Sequence, residues 1–159
     1  MAGFHTKTFL KDDDYMTPKN AWSDIKHLIP KNKIIYEPFY GDGKSGEYLR
    51  ELGFEVIHEK IDFFDNDKGD ILISNPPFSI VPKILNRLFI IDKPFIMILP
   101  SSKLCTNYFR KYLNKNIQII IPKKRIQFIK NNTLTNSCNF DCFYYCYKIN
   151  LDNDIIWLE

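Results

Sequence analysis

Apolar residues along this chain fall in short blocks that alternate between strand-like and helix-like spacing. Lys33–Glu37 (KIIYE) is a β-branched run closed by a carboxylate, and the Pro38-Phe39-Tyr40-Gly41-Asp42-Gly43 stretch behind it is rich in residues that break regular structure. Lys44–Leu52 carries Tyr48, Leu49 and Leu52 at helical spacing, with Gly53 where a helix C-cap falls. Phe54–His58 (FEVIH) and Asp70–Ser74 (DILIS) predict strands, Val81–Ile91 an amphipathic helix and Pro94–Leu99 (PFIMIL) a fully apolar strand. Thr106–Leu113 predicts a further helix and Ile117–Ile121 another buried strand, while Arg125–Ile129 and Phe140–Ile149 are strand candidates in the tail. Strands alternating with helices in this way predict an α/β fold. Its form would be a Rossmann-like, doubly wound, mostly parallel sheet with a C-terminal antiparallel hairpin.

A chain of 159 residues holds one sizeable core, so residues 1–159 read as a single domain. With 45% hydrophobic and 26% charged residues, the composition is that of a folded protein. A formal charge of +3 is too small to decide for or against phosphate-bearing partners, which leaves that question to local clustering. Met1–Lys11 is too polar for a signal peptide, and no run reaches the roughly 18 apolar residues that span a bilayer. The expected setting is therefore intracellular and cytoplasmic, with no membrane partner, and the four cysteines are expected as free thiols. Cys138, Cys142 and Cys146 are spaced C-x3-C-x3-C, whereas iron–sulfur radical enzymes use C-x3-C-x2-C. Inside a strand, a separation of four puts Cys142 and Cys146 on one face as apolar filling.

In a doubly wound sheet, ligands bind at the carboxyl ends of the strands, beside the point where strand order reverses. Three predicted strands end in chemically loaded tips: Glu37 with the glycine loop, His58-Glu59, and Asn75-Pro76-Pro77-Phe78. Gly41 and Gly43 let backbone approach a ligand closely, and Glu59, about twenty residues on, is placed to accept from ribose hydroxyls. The loop lacks the G-x-G-x-x-G of a pyrophosphate site, and Glu37 would repel a diphosphate while attracting a sulfonium. Asp62 and Phe63 can offer an acceptor and an aromatic face to an adenine ring. These features favour S-adenosylmethionine as cofactor over an anionic dinucleotide. The three histidines, His5, His27 and His58, show no metal-ligand spacing, and no metal is expected.

The Asn75-Pro76-Pro77-Phe78 segment suits a reaction at an exocyclic aromatic amine, whose lone pair is drawn into its ring. The Asn75 side-chain oxygen and the Pro76 carbonyl can accept the two N–H bonds and turn the lone pair toward a methyl group. The prolines lock the loop, and Phe78 offers a flat surface to a base swung out of its stack. On these residues the chain resembles the class I amino-methyltransferases, above all the N6-adenine DNA methyltransferases, whose signature is Asn/Asp-Pro-Pro-aromatic. Asp14-Tyr15-Met16-Thr17-Pro18-Lys19 is similar to the family's N-terminal cofactor-contacting motif, and Glu37-Pro38-Phe39-Tyr40-Gly41-Asp42-Gly43 to its glycine loop. The resemblance implies that Tyr15, Thr17 and Pro18 lie near the methionine end of the cofactor, with Pro38 and Phe39 beside it, and that Asn75 to Phe78 hold the target base. Arg125-Ile126-Gln127-Phe128 resembles the family's later arginine-containing segment.

Two departures from the family pattern stand out. Glu59 and Asp62 are only three residues apart, so the helix and strand that usually separate those motifs are expected to be missing or reduced. No separate target-recognition domain is expected, and the Ser101–Asn107 and Lys130–Asn139 loops would have to read the substrate. Lys103, Lys123, Lys124 and Arg125, with Arg110, Lys111 and Lys130 nearby, are candidates for phosphate contacts, and Tyr108 and Phe128 for stacking. The leading expectation is adenine-N6 methylation of DNA. Alternatives are RNA adenine or protein glutamine methylation, or a non-catalytic subunit that needs a partner, and specificity could come from a homodimer or a second protein. Abundant Ile, Lys and Asn would suit an A+T-rich genome such as that of a phage or large virus.

Overall fold

The computed structural model of the chain describes residues 15–113, 116–130, 133–134 and 141–159. Met1–Lys11, Asp14, Cys138, Phe140 and most of the Lys130–Asn139 loop, to which expectations attach above, lie outside the described residues. A short helix α1 (Lys19–Ser23) leads into β1 (Ile34–Tyr36), α2 (Lys44–Glu51), β2 (Glu55–Ile57), β3 (Ile71–Ser74), α3 (Val81–Ile91) and β4 (Phe95–Pro100). Then come α4 (Asn107–Leu113), β5 (Gln118–Ile121), β6 (Ile129–Lys130), β7 (Thr133–Leu134), β8 (Cys142–Tyr147) and β9 (Ile155–Trp157). Among the described residues seven strands form one sheet in the order β2-β1-β3-β4-β8-β5-β9, and β6 pairs with β7 separately.

The sheet is parallel at β2-β1-β3-β4 and at β5-β9, while β8 runs antiparallel to both of its neighbours, β4 and β5. This is a doubly wound α/β fold of Rossmann-like type. From β1 the chain moves outward to β2, then crosses back past β1 to β3 and on to β4, so the direction of winding reverses between β1 and β3. Right-handed crossovers in opposite directions put α2 and α3 on opposite faces, with α1 packed on α2 and α4 on α3. Strands β3 and β4 are buried along their whole length, as expected of uninterrupted ILIS and FIMILP runs covered on both sides. Fully burying each such Ile, Leu, Met or Phe contributes about 1.5–3 kcal/mol.

The antiparallel part of the sheet differs in detail from the expectation. Of Arg125–Ile129 only Ile129 enters a strand, and that strand belongs to the small β6–β7 pair. The aromatic run from Cys142 to Tyr147 is too apolar on both faces for an edge, so β8 sits inside, and the short Ile155–Trp157 segment takes the rim as β9. Cys142 and Cys146 are buried in β8 as apolar filling.

The connection from β2 to β3, residues 58–70, has neither helix nor strand among the described residues, which is the abbreviation that the close spacing of Glu59 and Asp62 suggested. It is tied down along its second half. Asp70 exchanges hydrogen bonds with Ile34, its N–H donating to the Ile34 carbonyl at 2.7 Å and its carboxylate accepting from the Ile34 N–H at 2.8 Å. Gly69, at φ +66°, passes so close that a Cβ would meet the Ile34 carbonyl oxygen at 2.8 Å. From α3 and its C-terminal end, Arg87 donates to the Asn66 carbonyl at 3.2 Å and Lys93 pairs with Asp67 at 2.6 Å.

Candidate active site

The carboxyl ends of β1, β3, β4 and β5 lie along one edge of the sheet, so the segments following Tyr36, Ser74, Pro100 and Ile121 gather there. Glu37 closes β1 with 1% exposure, beneath this edge rather than on an open lip. Its carboxylate accepts from the Phe39 N–H at 3.1 Å, from Ser45 Oγ of α2 at 2.8 Å and from Ser74 Oγ at the end of β3. Trp22 of α1 donates to Ser45 Oγ at 2.9 Å, extending the network to a fourth element. Burial pushes the Glu37 carboxyl up to about 8, against the lowering effect of the three donors. Glu37 thus ties the glycine loop to α2 and β3; its expected role as an exposed attractor for a sulfonium is corrected by its depth. The partners Ser45, Ser74 and Trp22 were missed from sequence, although a hydroxyl two residues after the loop's second glycine was a visible signal.

The loop itself is held by its own groups. Gly43 donates to the Tyr40 carbonyl at 2.9 Å, Lys44 N–H to Asp42 Oδ1 at 3.0 Å, and Gly46 N–H to His58 Nδ1 at 3.1 Å. Gly41 and Gly43 have φ of +58° and +83°, and a Cβ there would meet Met16 Sδ at 3.0 Å and Tyr40 Oη at 2.8 Å respectively. Positive φ and packing by Met16 and Tyr40 therefore account for both glycines. Since Nδ1 accepts, the His58 proton sits on Nε2, which faces the Phe39 carbonyl at 3.3 Å, and burial lowers the imidazole's affinity for a second proton. His58 caps α2, a role the sequence did not suggest. The amides of Phe39, Gly43, Lys44 and Gly46 are thus engaged within the protein.

Asn75 follows β3, and its Nδ2 donates to the Tyr15 carbonyl at 3.1 Å. Its Oδ1 is buried and has no hydrogen-bond partner; among the described residues only Tyr36 Oη and Arg87 Nε share that condition. Tyr15 is next to Met16, whose sulfur abuts the glycine loop at Gly41, and Ser74 next to Asn75 bonds Glu37. The Asn-Pro-Pro-Phe segment is thus linked to the glycine loop through Tyr15 and Met16 on one side and through Ser74 and Glu37 on the other. Phe78 is 7% exposed and meets Phe128 edge-on with ring centroids 6.3 Å apart, and Phe128 in turn meets Tyr15 at 6.1 Å.

The other expected site residues divide by exposure. Thr17, Pro18, Pro38, Pro76 and Pro77 are buried. Phe63 is 2% exposed, packed on Phe39 at 5.2 Å, so its ring supports Phe39 and has no open face for an adenine. Asp62 Oδ1 accepts from the Phe64 N–H at 2.8 Å, while Glu59 stands exposed at the tip of β2. Phe128 is fully buried, which corrects its expected stacking role: it is the wedge behind Tyr15 and Phe78. Lys123 and Lys124 are exposed and Lys103 and Tyr108 half-buried, whereas Arg125 pairs with Asp141 at 2.7 Å. Among the described residues no cluster could hold a metal ion, and no helix is long and apolar enough to cross a membrane.

This combination of a doubly wound sheet, a glycine loop after β1 and an amide-bearing tip after β3 defines a fold of the Rossmann-like methyltransferase kind. The chain is similar to the crystal structure of a dimethyladenosine transferase from Plasmodium falciparum, with a TM-score of 0.50 at 13% sequence identity. The match covers 84% of this chain and 62% of that one, so the chain spans less than two thirds of the neighbour's length. The likeness is one of fold. Neither a protein-family model nor a curated protein sequence matches the chain.

Proposed function

We propose that the protein is an S-adenosylmethionine-dependent methyltransferase acting on the exocyclic N6 amino group of adenine in nucleic acid. The observation that carries this reading is Asn75 Oδ1, a buried acceptor without a partner, on a side chain whose other end bonds Tyr15, the neighbour of the Met16 that packs on Gly41. An orphaned acceptor at such a place costs about 1–3 kcal/mol unless a ligand donor meets it, and an aromatic amine is such a donor. With the Pro76 carbonyl taking the second N–H, the amine is turned so that its lone pair faces the methyl group. Bound there, the cofactor would supply an activated methyl on its sulfonium, and Asn75 with the Pro76 carbonyl would hold the amine while its nitrogen takes that methyl from sulfur and yields a proton to water. No general base with a shifted pKa is needed.

The residues present fit that cofactor. Glu59, exposed at the tip of β2, is free to meet ribose hydroxyls, and the loop amides leave little to attract a diphosphate. The resemblance implies that Phe39, Tyr15, Thr17 and Pro18 would border the cofactor. Lys123, Lys124 and Lys103 follow β5 and β4 at the same sheet edge, where a phosphate backbone would pass. The order of the Asp14-Tyr15-Met16-Thr17-Pro18 and Asn75-Pro76-Pro77-Phe78 segments favours DNA; the dimethyladenosine transferase of like fold favours RNA as the second reading. Incubation with methyl-labelled cofactor and separate DNA, RNA and protein pools tests both. Label on N6-methyladenine is the expected result, and label in protein glutamine or in no pool would overturn the proposal. Calorimetric titration with the cofactor separates an inactive enzyme from a non-catalytic subunit.

A further inference from the structure

We infer that the backbone carbonyl of Tyr15, held by the Met16–Ile129 bridge, is the positioning group that orients the Asn75 amide, an inference that rests on the transfer reading above. An asparagine amide has an accepting end and a donating end of nearly equal shape, and only one orientation can serve an amine whose N–H bonds need acceptors. The Tyr15 carbonyl removes the ambiguity. It can only accept, so it selects Nδ2 as its partner at 3.1 Å and leaves Oδ1 directed elsewhere, buried and unpaired. Turned over, the amide would set two oxygens against each other and offer the target amine a donor.

Tyr15 lies in no helix or strand, so something else must fix its carbonyl. Met16 donates to the Ile129 carbonyl at 2.7 Å and Ile129 to the Met16 carbonyl at 2.9 Å, a closed pair of antiparallel type. Ile129 spends both backbone groups on Met16, and its other edge pairs with β7 through Leu134. Its neighbours add to the hold: the Phe128 ring backs Tyr15, and Lys130 Nζ lies 4.8 Å from the Tyr15 ring centroid. The segment after β5 thus governs the amide at the tip of β3 through Tyr15. Tyr15 acts here through its main chain.

The test uses the isotope-labelled full chain and reads the Asn75 side-chain amide by NMR, assigned by its loss in Asn75→Ala. Wild type should show one protected amide pair. Ile129→Pro removes the N–H given to Met16 and leaves the β6–β7 pairing edge intact; it should speed exchange of that amide about tenfold, the worth of one hydrogen bond. The same variant should lower kcat roughly 10- to 100-fold while cofactor affinity stays within about twofold, the pattern of a mispositioned group. Ile129→Ala keeps both backbone groups and should keep the protected amide. Should Ile129→Pro fail to fold, Met16→Pro removes the opposite donor and carries the same expectation for the amide. A folded bridge variant with wild-type exchange and kcat overturns the inference and leaves the transfer reading standing. Absence of methyl transfer by wild type overturns that reading instead, and amide exchange still decides the positioning.

Discussion

Glu37 and Asn75 close adjacent parallel strands, β1 and β3, and the molecule treats them in opposite ways. Glu37 is the more deeply buried and carries the greater potential charge, yet its hydrogen-bonding capacity is spent inside the protein on Phe39, Ser45 and Ser74. Asn75 is neutral and only partly buried, and half of its capacity is left open. A polar group whose bonds all return to the scaffold holds the scaffold; one held by its donor end, with its acceptor end free, is prepared for a ligand. By that criterion Glu37 is framework and Asn75 is where the proposed chemistry would sit, although sequence reading gave both a direct part in binding.

The contrast is most sharply tested at position 75. Asn75→Ala should lower kcat for methyl transfer by about 10²–10³-fold, as loss of a preorganised hydrogen-bonding group does, with cofactor binding by calorimetry nearly unchanged. Similar losses in kcat and in cofactor affinity would make Asn75 framework too. On the other side, Gly46→Ala should act on stability before rate. Its Cβ would fall 2.2 Å from His58 Nδ1, forcing out the group that caps α2, and overpacking of this kind costs typically 1–3 kcal/mol. A fall in Tm with kcat retained in the folded fraction is the expected outcome.

Much of this arrangement was legible in the sequence because the signals were local. The breaker run from Pro38 to Gly43 and the block lengths around it fix β1, α2 and β2 to within a residue or two, and Val81–Ile91 matches α3 at both ends. What the sequence hid depends on partners far along the chain. Nothing near Phe128 says whether its ring faces solvent or fills the gap between Tyr15 and Phe78, and only the fold brings residues 15, 78 and 128 together. His58 is likewise silent until Gly46 stands beside it. β9 escaped notice because IIW, between Asp154 and the terminal Leu158-Glu159, is too short to show a period. The depth of Glu37 was hidden for a related reason: a carboxylate at a strand tip reads as exposed unless Ser45 and Ser74 are known to face it.

The framework reading of Glu37 has a pH signature. Its folded-state pKa of about 8 lies above the ordinary value of 4.5, so the folded protein holds this proton more tightly than the unfolded chain does. The resulting stability is fully present below about pH 4.5, declines as pH rises, and is lost once pH passes through about 8. Glu37→Gln, which cannot ionise, should lack that decline. The difference in unfolding free energy between Glu37→Gln and wild type should therefore shift in favour of the variant on the order of 1 kcal/mol per pH unit across this window. Denaturant melts at pH 5, 6.5 and 8 measure it. Parallel curves would mean the carboxylate is ionised and paired, which would return Glu37 to a binding role and weaken the contrast with Asn75.

The smallest expected effect concerns what lies beside Asn75. If the tip of β3 receives a base, the backbone carrying that base must pass the segments after β4 and β5, and the basic residues there are not equivalent. Lys123 and Lys124 are exposed, while Arg125 is already paired with Asp141 at 2.7 Å. Each lysine that touches a phosphate releases a counterion, so Lys123→Ala and Lys124→Ala should each flatten the dependence of log K on log salt by about 1 for a short oligonucleotide, most simply followed by fluorescence anisotropy. Arg125→Ala should change the slope less, because its charge is spent on Asp141 before nucleic acid arrives. Equal slopes for all three variants and wild type would mark these residues as solvated surface, and the polymer would have to approach Asn75 from the β2 side, past Glu59 and Lys60.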